Sequence, residues 1–216
     1  MIDRTEVWRY LGLRGAEPDE QTARNIEQCI SALQAHAVPK HRWKRVPLII
    51  EENTVRLGAW VAQSKALAAH MQGCKEGVLF AATLGAQADR LMQRYTVEDI
   101  ALALVLQACA AAMLENYCDT AQESIAEECG CCRMTMRFSP GYGDLAAESQ
   151  KQLLDILDAP RKIGLTCTEL CMLTPTKSIT AMFGIGGAPA HGNQKSCRAC
   201  AQKDCAYQRL EQRGTV

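Results

Sequence analysis

The sequence predicts an α+β protein, an antiparallel sheet with packed helices, built as a single domain with a cysteine-rich C-terminal tail. Two observations carry this. Segments with helical spacing of apolar residues are interspersed with short apolar runs of strand length. Two of those runs, "LCMLTP" (170–175) and "KSITAMFGIG" (177–186), follow one another closely enough to pair as a hairpin, which argues against strict βαβ repetition.

Taken in order, "EPDEQTARNIEQCISALQAHA" opens with Pro18 and Asp19 and places Ile26, Cys29, Ile30 and Leu33 on one helical face. "VPLII" (46–50) has strand composition. "SKALAAHMQG" (64–73) reads as a helix opened by a serine cap and closed by glycine. "GVLFAATLG" (77–85) is a continuous apolar run bounded by glycines, which predicts a buried strand. From Val97 to about Glu128 neither Gly nor Pro occurs and alanine is abundant, predicting one long helix or two end to end. "CRMTMRF" (132–138) alternates like a strand, and "DLAAESQKQLLDILDA" (144–159) reads as an amphipathic helix ended by Pro160.

The chain has 216 residues, 24 basic and 24 acidic, so no overall field recruits nucleic acid or an anionic membrane. The N-terminal residues lack the apolar core of a secretory signal, so the expected location is cytoplasmic. In that compartment twelve cysteines are not a disulfide framework; some are small buried hydrophobes and others metal ligands. The one shift in composition follows Gly187, where the chain becomes polar and dense in cysteine. Three regions follow: 1–74, mixed and helical; 75–187, the core; and 188–216, the tail.

Within the core, "RFSPGYGD" (137–144) places a cation, two backbone-bending residue types, an aromatic and an acid in eight positions. Arg137 can grip a carboxylate bidentately while Tyr142 offers a flat wall. A tight turn with a surface arginine has the same composition, so residue types alone leave both readings open.

The tail supplies the second constellation, Cys197, Cys200 and Cys205. The first two have a chelating spacing and the third completes three thiolate corners of a zinc or iron–sulfur site. Its fourth ligand is open among the cysteines of "ECGCC" (128–132), Cys167, Cys171 and His191. The histidines, His36, His41, His70 and His191, lie in no catalytic motif. "FGIGGAPAHG" (183–192) lacks the Lys-Ser/Thr of a phosphate loop, and "KHRWKR" (40–45) reads as a solvated basic face, or one that meets an acidic partner.

"RFSPGYGD" together with "LTPTKSITAMFGIG" resembles the reactivation domain of cobalamin-dependent methionine synthase, and more closely its free-standing relatives in anaerobic bacteria. The resemblance covers roughly 75–187 and implies binding of S-adenosylmethionine. It implies that Arg137 holds the methionine carboxylate, that Ser139 and Gly141 offer backbone groups to the adenosine portion, and that Tyr142 lies beside the ligand. "LENYCD", with acids four apart, makes Glu115 the matching ligand-binding glutamate. Ser178 falls in the matching strand, and Phe183 stands where the family often has a tyrosine. Serine also replaces the family's alanine at 139.

The implied role is reductive methylation of cobalt, for which the protein supplies positioning rather than an acid, base or nucleophile. No Asp-x-His-x-x-Gly is present, so the cobalamin is expected on a partner: a corrinoid protein, or a methionine synthase lacking its own activation domain, with an electron-donor protein besides. Position 174 is Thr rather than the third cysteine of Cys-x3-Cys-x2-Cys, which disfavours radical use of S-adenosylmethionine. Two other functions remain: a non-catalytic metal or electron-transfer module of a corrinoid methyltransferase, and an S-adenosylmethionine-binding sensor.

Overall fold

The computed structural model describes residues 2–13, 16–130 and 133–186. The sheet is organised around β4 (Glu76–Thr83), in which every residue after Glu76 is buried. A strand without charge along that length must be covered on both faces and both edges. β1 (Lys40–Glu51) runs antiparallel along one edge, Lys40 opposite Thr83 and Pro47 opposite Glu76. β7 (Ser178–Ile185) runs antiparallel along the other, Ser178 opposite Thr83 and Ile185 opposite Glu76. Two hairpins then add β2 (Thr54–Leu57) and β3 (Trp60–Gln63), giving the order β3-β2-β1-β4-β7. Their two-residue turns need left-handed backbone, found at Glu52 (φ 55°) and Gly58 (φ 58°).

Helices cover both faces. The longest, α5 (Ile100–Glu128), lays Cys118, Ala121 and Ile125 over Val78, Phe80, Ala181 and Phe183. Its first half packs in a separate apolar cluster with Val7 of α1 (Arg4–Tyr10), Ile26, Cys29 and Leu33 of α2 (Glu20–His36), and Leu91 of α4 (Ala86–Glu98). By length and composition α5 would suffice to cross a membrane; its buried residues from Ala103 to Ile125 are core contacts of this fold, while Ile100 and Leu104 are exposed. The opposite face of the sheet, with Leu57, Leu79 and Met182, is covered by α3 (Lys65–His70), α6 (Ser149–Ile156) and α7 (Ala159–Ile163). A two-stranded ribbon, β5 (Thr166–Cys167) with β6 (Leu173–Thr174), completes the architecture.

Several elements depart from expectation. The helical stretch breaks at Asp99, which has extended backbone (φ −157°) and accepts from the Ala101 and Leu102 N–H groups at 3.0 Å; α4 is a helix of its own before it. The first half of β1 is "KHRWKR", with Lys40, Arg42 and Lys44 exposed along the strand. Of the segment expected as a strand at 132–138, the described residues 133–138 make two bridges, Met134 to Ile185 and Phe138 to Met182. Between them the Thr135 hydroxyl, rather than a carbonyl, accepts the Gly184 N–H at 2.9 Å, so a regular ladder does not form. The helix expected over 144–159 is shorter, because Asp144 caps α3 and left-handed Asp158 (φ 51°) separates α6 from α7. Pro160 lies in the first turn of α7, where its missing N–H is not needed. The 170–186 hairpin is absent: β7 has one edge on β4 and the other on Met134 and Phe138, so β6 pairs with β5 instead.

Candidate functional site

Phe138 and Met182 exchange both backbone hydrogen bonds at 2.9 Å, which locks the 137–144 loop to β7. Phe138 packs into the cluster beneath α6, so its neighbour Arg137 points the other way, toward α5. There Arg137 Nη2 donates to Asp119 Oδ1 at 2.8 Å and to Glu115 Oε2 at 3.0 Å, while Nη1 donates to Gln122 Oε1 at 3.0 Å. Spacings of four and three along α5 bring those acceptors onto one face. Gln122 is oriented in turn by its own bond to the Thr135 carbonyl at 3.1 Å.

The Arg137 side chain is 13% exposed, Glu115 36% and Asp119 32%. Burial works against the guanidinium charge, but the bond to Asp119 and the nearby acids outweigh it and raise the Arg137 pKa. One cation therefore faces two carboxylates at the rim of the molecule. Behind them the Cys118 thiol is pushed up to about 12, first by burial. Tyr10 of α1 borders the same cluster: burial, then the charge of Glu115, pushes its phenol up.

The loop itself is tied by Tyr142 N–H to the Ser139 carbonyl at 3.0 Å and Gly141 N–H to the Leu145 carbonyl at 2.8 Å. Gly143 has φ 55°, and a Cβ there would meet the Ala66 Cβ at 2.8 Å, so only glycine fits. Asp144 reaches α3, accepting from Ser64 Oγ at 2.5 Å, Lys65 N–H at 2.8 Å and Ala66 N–H at 3.1 Å. These bonds hold its carboxyl below the usual range. Tyr142 stays 56% exposed, its ring edge-on to Phe138 at 5.9 Å, and Phe138 leans on His70 at 5.2 Å. The loop is thus a rigid ledge with one free aromatic face.

Of the residues singled out by sequence, Glu115 and Arg137 meet directly, and Ser139 (8% exposed), Gly141 and Tyr142 follow on the ledge. Ser178 lies at the far end of β7, its hydroxyl donating to the Pro175 carbonyl at 2.6 Å and lying 2.8 Å from Thr83 Oγ1. Phe183 is fully buried, its ring 6.1 Å from Phe80 under α5. Sequence reasoning places Asp119 in "LENYCD" as the second of two acids four apart but gives it no role, and it does not single out Gln122. The signal available for both was helical periodicity, since each shares a face with Glu115. Cys197, Cys200, Cys205, His191, Cys131, Cys132 and the glycine-rich stretch beyond Gly186 lie outside the described residues. Among the described residues no group of three or more His, Cys, Asp or Glu side chains is arranged to hold a metal. A cavity of about 370 Å³ between α1 and α2, lined by Arg4, Trp8, Pro18 and Ile26, contains none of the Arg137 cluster.

No protein-family model and no curated protein matches the chain. Among solved structures the fold is similar to the crystal structure of the MetH reactivation domain bound to AdoHcy, with a TM-score of 0.63 and 12% identity over 88% of this chain and 77% of that one. At that identity the likeness is one of fold.

Proposed function

We propose that this chain binds S-adenosylmethionine at the Arg137 cluster and supports reductive methylation of the cobalt of a corrinoid carried by a partner. The reading rests on the Arg137–Glu115–Asp119 arrangement at the 137–144 ledge, in a fold similar to a reactivation domain crystallised with AdoHcy.

The chemistry of that cluster matches the amino-acid end of the ligand. A ligand carboxylate takes the place of an acid on Arg137, the released acid turns to the ligand ammonium, and charge-assisted bonds are conserved in the exchange. The remaining carboxylate leaves the cluster net negative, complementary to the sulfonium. Tyr142 supplies an exposed ring against which the nucleoside can lie. The methyl passes from the sulfonium to cobalt(I), so the chain's residues need only bind, orient and place charge.

In this reading the client is a corrinoid protein, or a methionine synthase without its own activation domain, in the cytoplasm, served by a separate electron donor. Cys197, Cys200 and Cys205 hold zinc or an iron–sulfur cluster, which elemental analysis of anaerobically purified protein and of Cys197→Ser would check.

Calorimetric titration of the whole chain with S-adenosylmethionine tests the core of the proposal. Binding is expected, and Arg137→Ala should weaken it by about 1.5–3 kcal/mol, the worth of a charged hydrogen bond. Absence of binding, or equal affinity in the variant, would overturn the assignment.

A further inference from the structure

The β5–β6 ribbon carries a thiol pair that the proposed function does not use. Cys167 ends β5, and the chain reverses directly after it: Thr168 N–H bonds to the Met172 carbonyl at 2.9 Å, Cys171 N–H to the Thr168 carbonyl at 3.0 Å, and Met172 N–H to Thr168 Oγ1 at 3.1 Å. Cys171 has φ 60°, a left-handed conformation uncommon for a residue with a side chain. The turn brings the two close enough that Cys171 adds to the burial that pushes the Cys167 thiol up.

Both cysteines are also referenced to one buried amide. Gln150 Nε2 lies 3.4 Å from Cys167 Sγ and 2.6 Å from the Cys171 carbonyl oxygen, to which it donates. Gln150 is 6% exposed, and its own Oε1 accepts from Thr180 Oγ1 of β7 at 3.2 Å. Gln150 thus ties both residues of the turn to β7.

Among the described cysteines Cys74, Cys129, Cys167 and Cys171 are partly exposed, and of these only Cys167 and Cys171 share one turn. Cys29 and Cys109 are both fully buried between α2 and α5, their thiols donating to the Leu102 and Ile26 carbonyls at 3.8 and 3.9 Å. Cys118 is equally buried, and the Cys74 thiol donates to the Gly186 carbonyl at 2.7 Å, whereas the Cys167 and Cys171 thiols make only longer contacts, 3.4 Å to the Thr168 carbonyl and 4.0 Å to the Glu169 carbonyl. Cys167 and Cys171 are partly exposed, and their neighbours Leu170 and Met172 are 86% and 64% exposed, so solutes reach the turn.

We propose that Cys167 and Cys171 form a reversible dithiol–disulfide pair, closed by exchange with a small-molecule disulfide such as oxidised glutathione. One cysteine, as thiolate, attacks the glutathione disulfide, forming a mixed disulfide and expelling one glutathione thiolate. The other then loses its proton to solvent and attacks the protein sulfur of that mixed disulfide, expelling the second. The chain gives up two electrons and two protons, and one disulfide becomes two thiols. Such a bond is transient in a reducing compartment, which separates it from a structural framework.

The test is peptide mapping of the full chain. Cleavage after Lys162 and Lys177 isolates residues 163–177, which contain both cysteines. After incubation with oxidised glutathione and alkylation, this peptide should carry no alkyl group and weigh two hydrogens less than its reduced form. Prior treatment with dithiothreitol should restore two alkylation sites. Double alkylation after oxidation, a persistent glutathione adduct in the unaltered chain, or a disulfide to Cys197, Cys200 or Cys205 would overturn the pair. In Cys167→Ser and Cys171→Ser the second step is removed, so at least one variant should retain glutathione on its remaining cysteine; adducts in neither also overturn it. The outcome is independent of S-adenosylmethionine binding.

Discussion

Arg137 and Asp119 meet at 2.8 Å, joining the first residue of the ledge to the middle of α5. Since Arg137 also holds Glu115, it is the shared cation of two acids four positions apart on one helix. Arg137→Ala should lower folding stability by about 1–3 kcal/mol, the cost of stripping a partly buried charge network of one partner. Arg137→Ala combined with Asp119→Ala should recover part of that loss. Urea unfolding of the ligand-free variants checks both, and additive losses would argue against the coupling.

Phe183 is fully buried against Phe80 and the underside of α5. Phe183→Ala should cost about 3–5 kcal/mol through lost burial and the cavity left behind. The denaturation midpoint reads this directly, and a loss under 1 kcal/mol would mean that the core collapses around the gap.

His41 predicts a pH dependence. Its Nδ1 lies 2.8 Å from the Tyr117 hydroxyl and its ring stacks on Phe80 at 6.0 Å. Burial, helped by Arg42 and opposed by Glu128, holds the imidazole below its usual pKa. A depressed folded pKa means that the unfolded chain binds the proton first. This contribution to stability is complete above the unfolded value of about 6.5 and is lost as pH falls through the lower folded value. Melting temperatures of the unaltered chain should fall from pH 7.5 to 5, and His41→Phe should flatten that slope.

Asp144 acts in a more acidic window. The Ser64 hydroxyl bond, then the Ala66 and Lys65 N–H groups, depress its pKa. Its contribution is present above the unfolded value of about 4 and disappears as pH falls through the lower folded one. Asp144→Asn should reduce the steepness of acid unfolding; an identical acid limb would remove Asp144 from the set of native-state caps.

The fold class, α2, α3 and the central strand were legible because each depends on local pattern: a cap, a period and an uncharged run. β2 and β3 were missed although Val55 and Leu57 alternate with polar neighbours and Gly58 marks their turn, because four-residue strands offer little period to count. α4 was missed too, despite Ala88, Leu91, Met92 and Tyr95 at helical spacing, since no residue side-chain-caps its start. At the candidate site, the resemblance led to Arg137 and Glu115. Asp119 was present in the quoted "LENYCD", but its pairing with Arg137, and the part played by Gln122, became visible only once the loop was seen to direct Arg137 onto α5, a relation between segments that no local pattern contains.

The pairing of β4 with β7 also sets the order in which the molecule can be completed. Glu76 waits for Ile185, and between them the ribosome must deliver α4, α5, the ledge, α6, α7 and the β5–β6 ribbon. Sequence-distant pairings of this kind carry the loop-closure entropy that slows folding. Until β7 arrives, the nascent chain presents an apolar strand with one edge unpaired, the form of surface most prone to join another chain. Synthesis therefore passes through a long interval in which β4 is the vulnerable element, and termination before residue 185 should yield aggregates rather than a smaller folded unit.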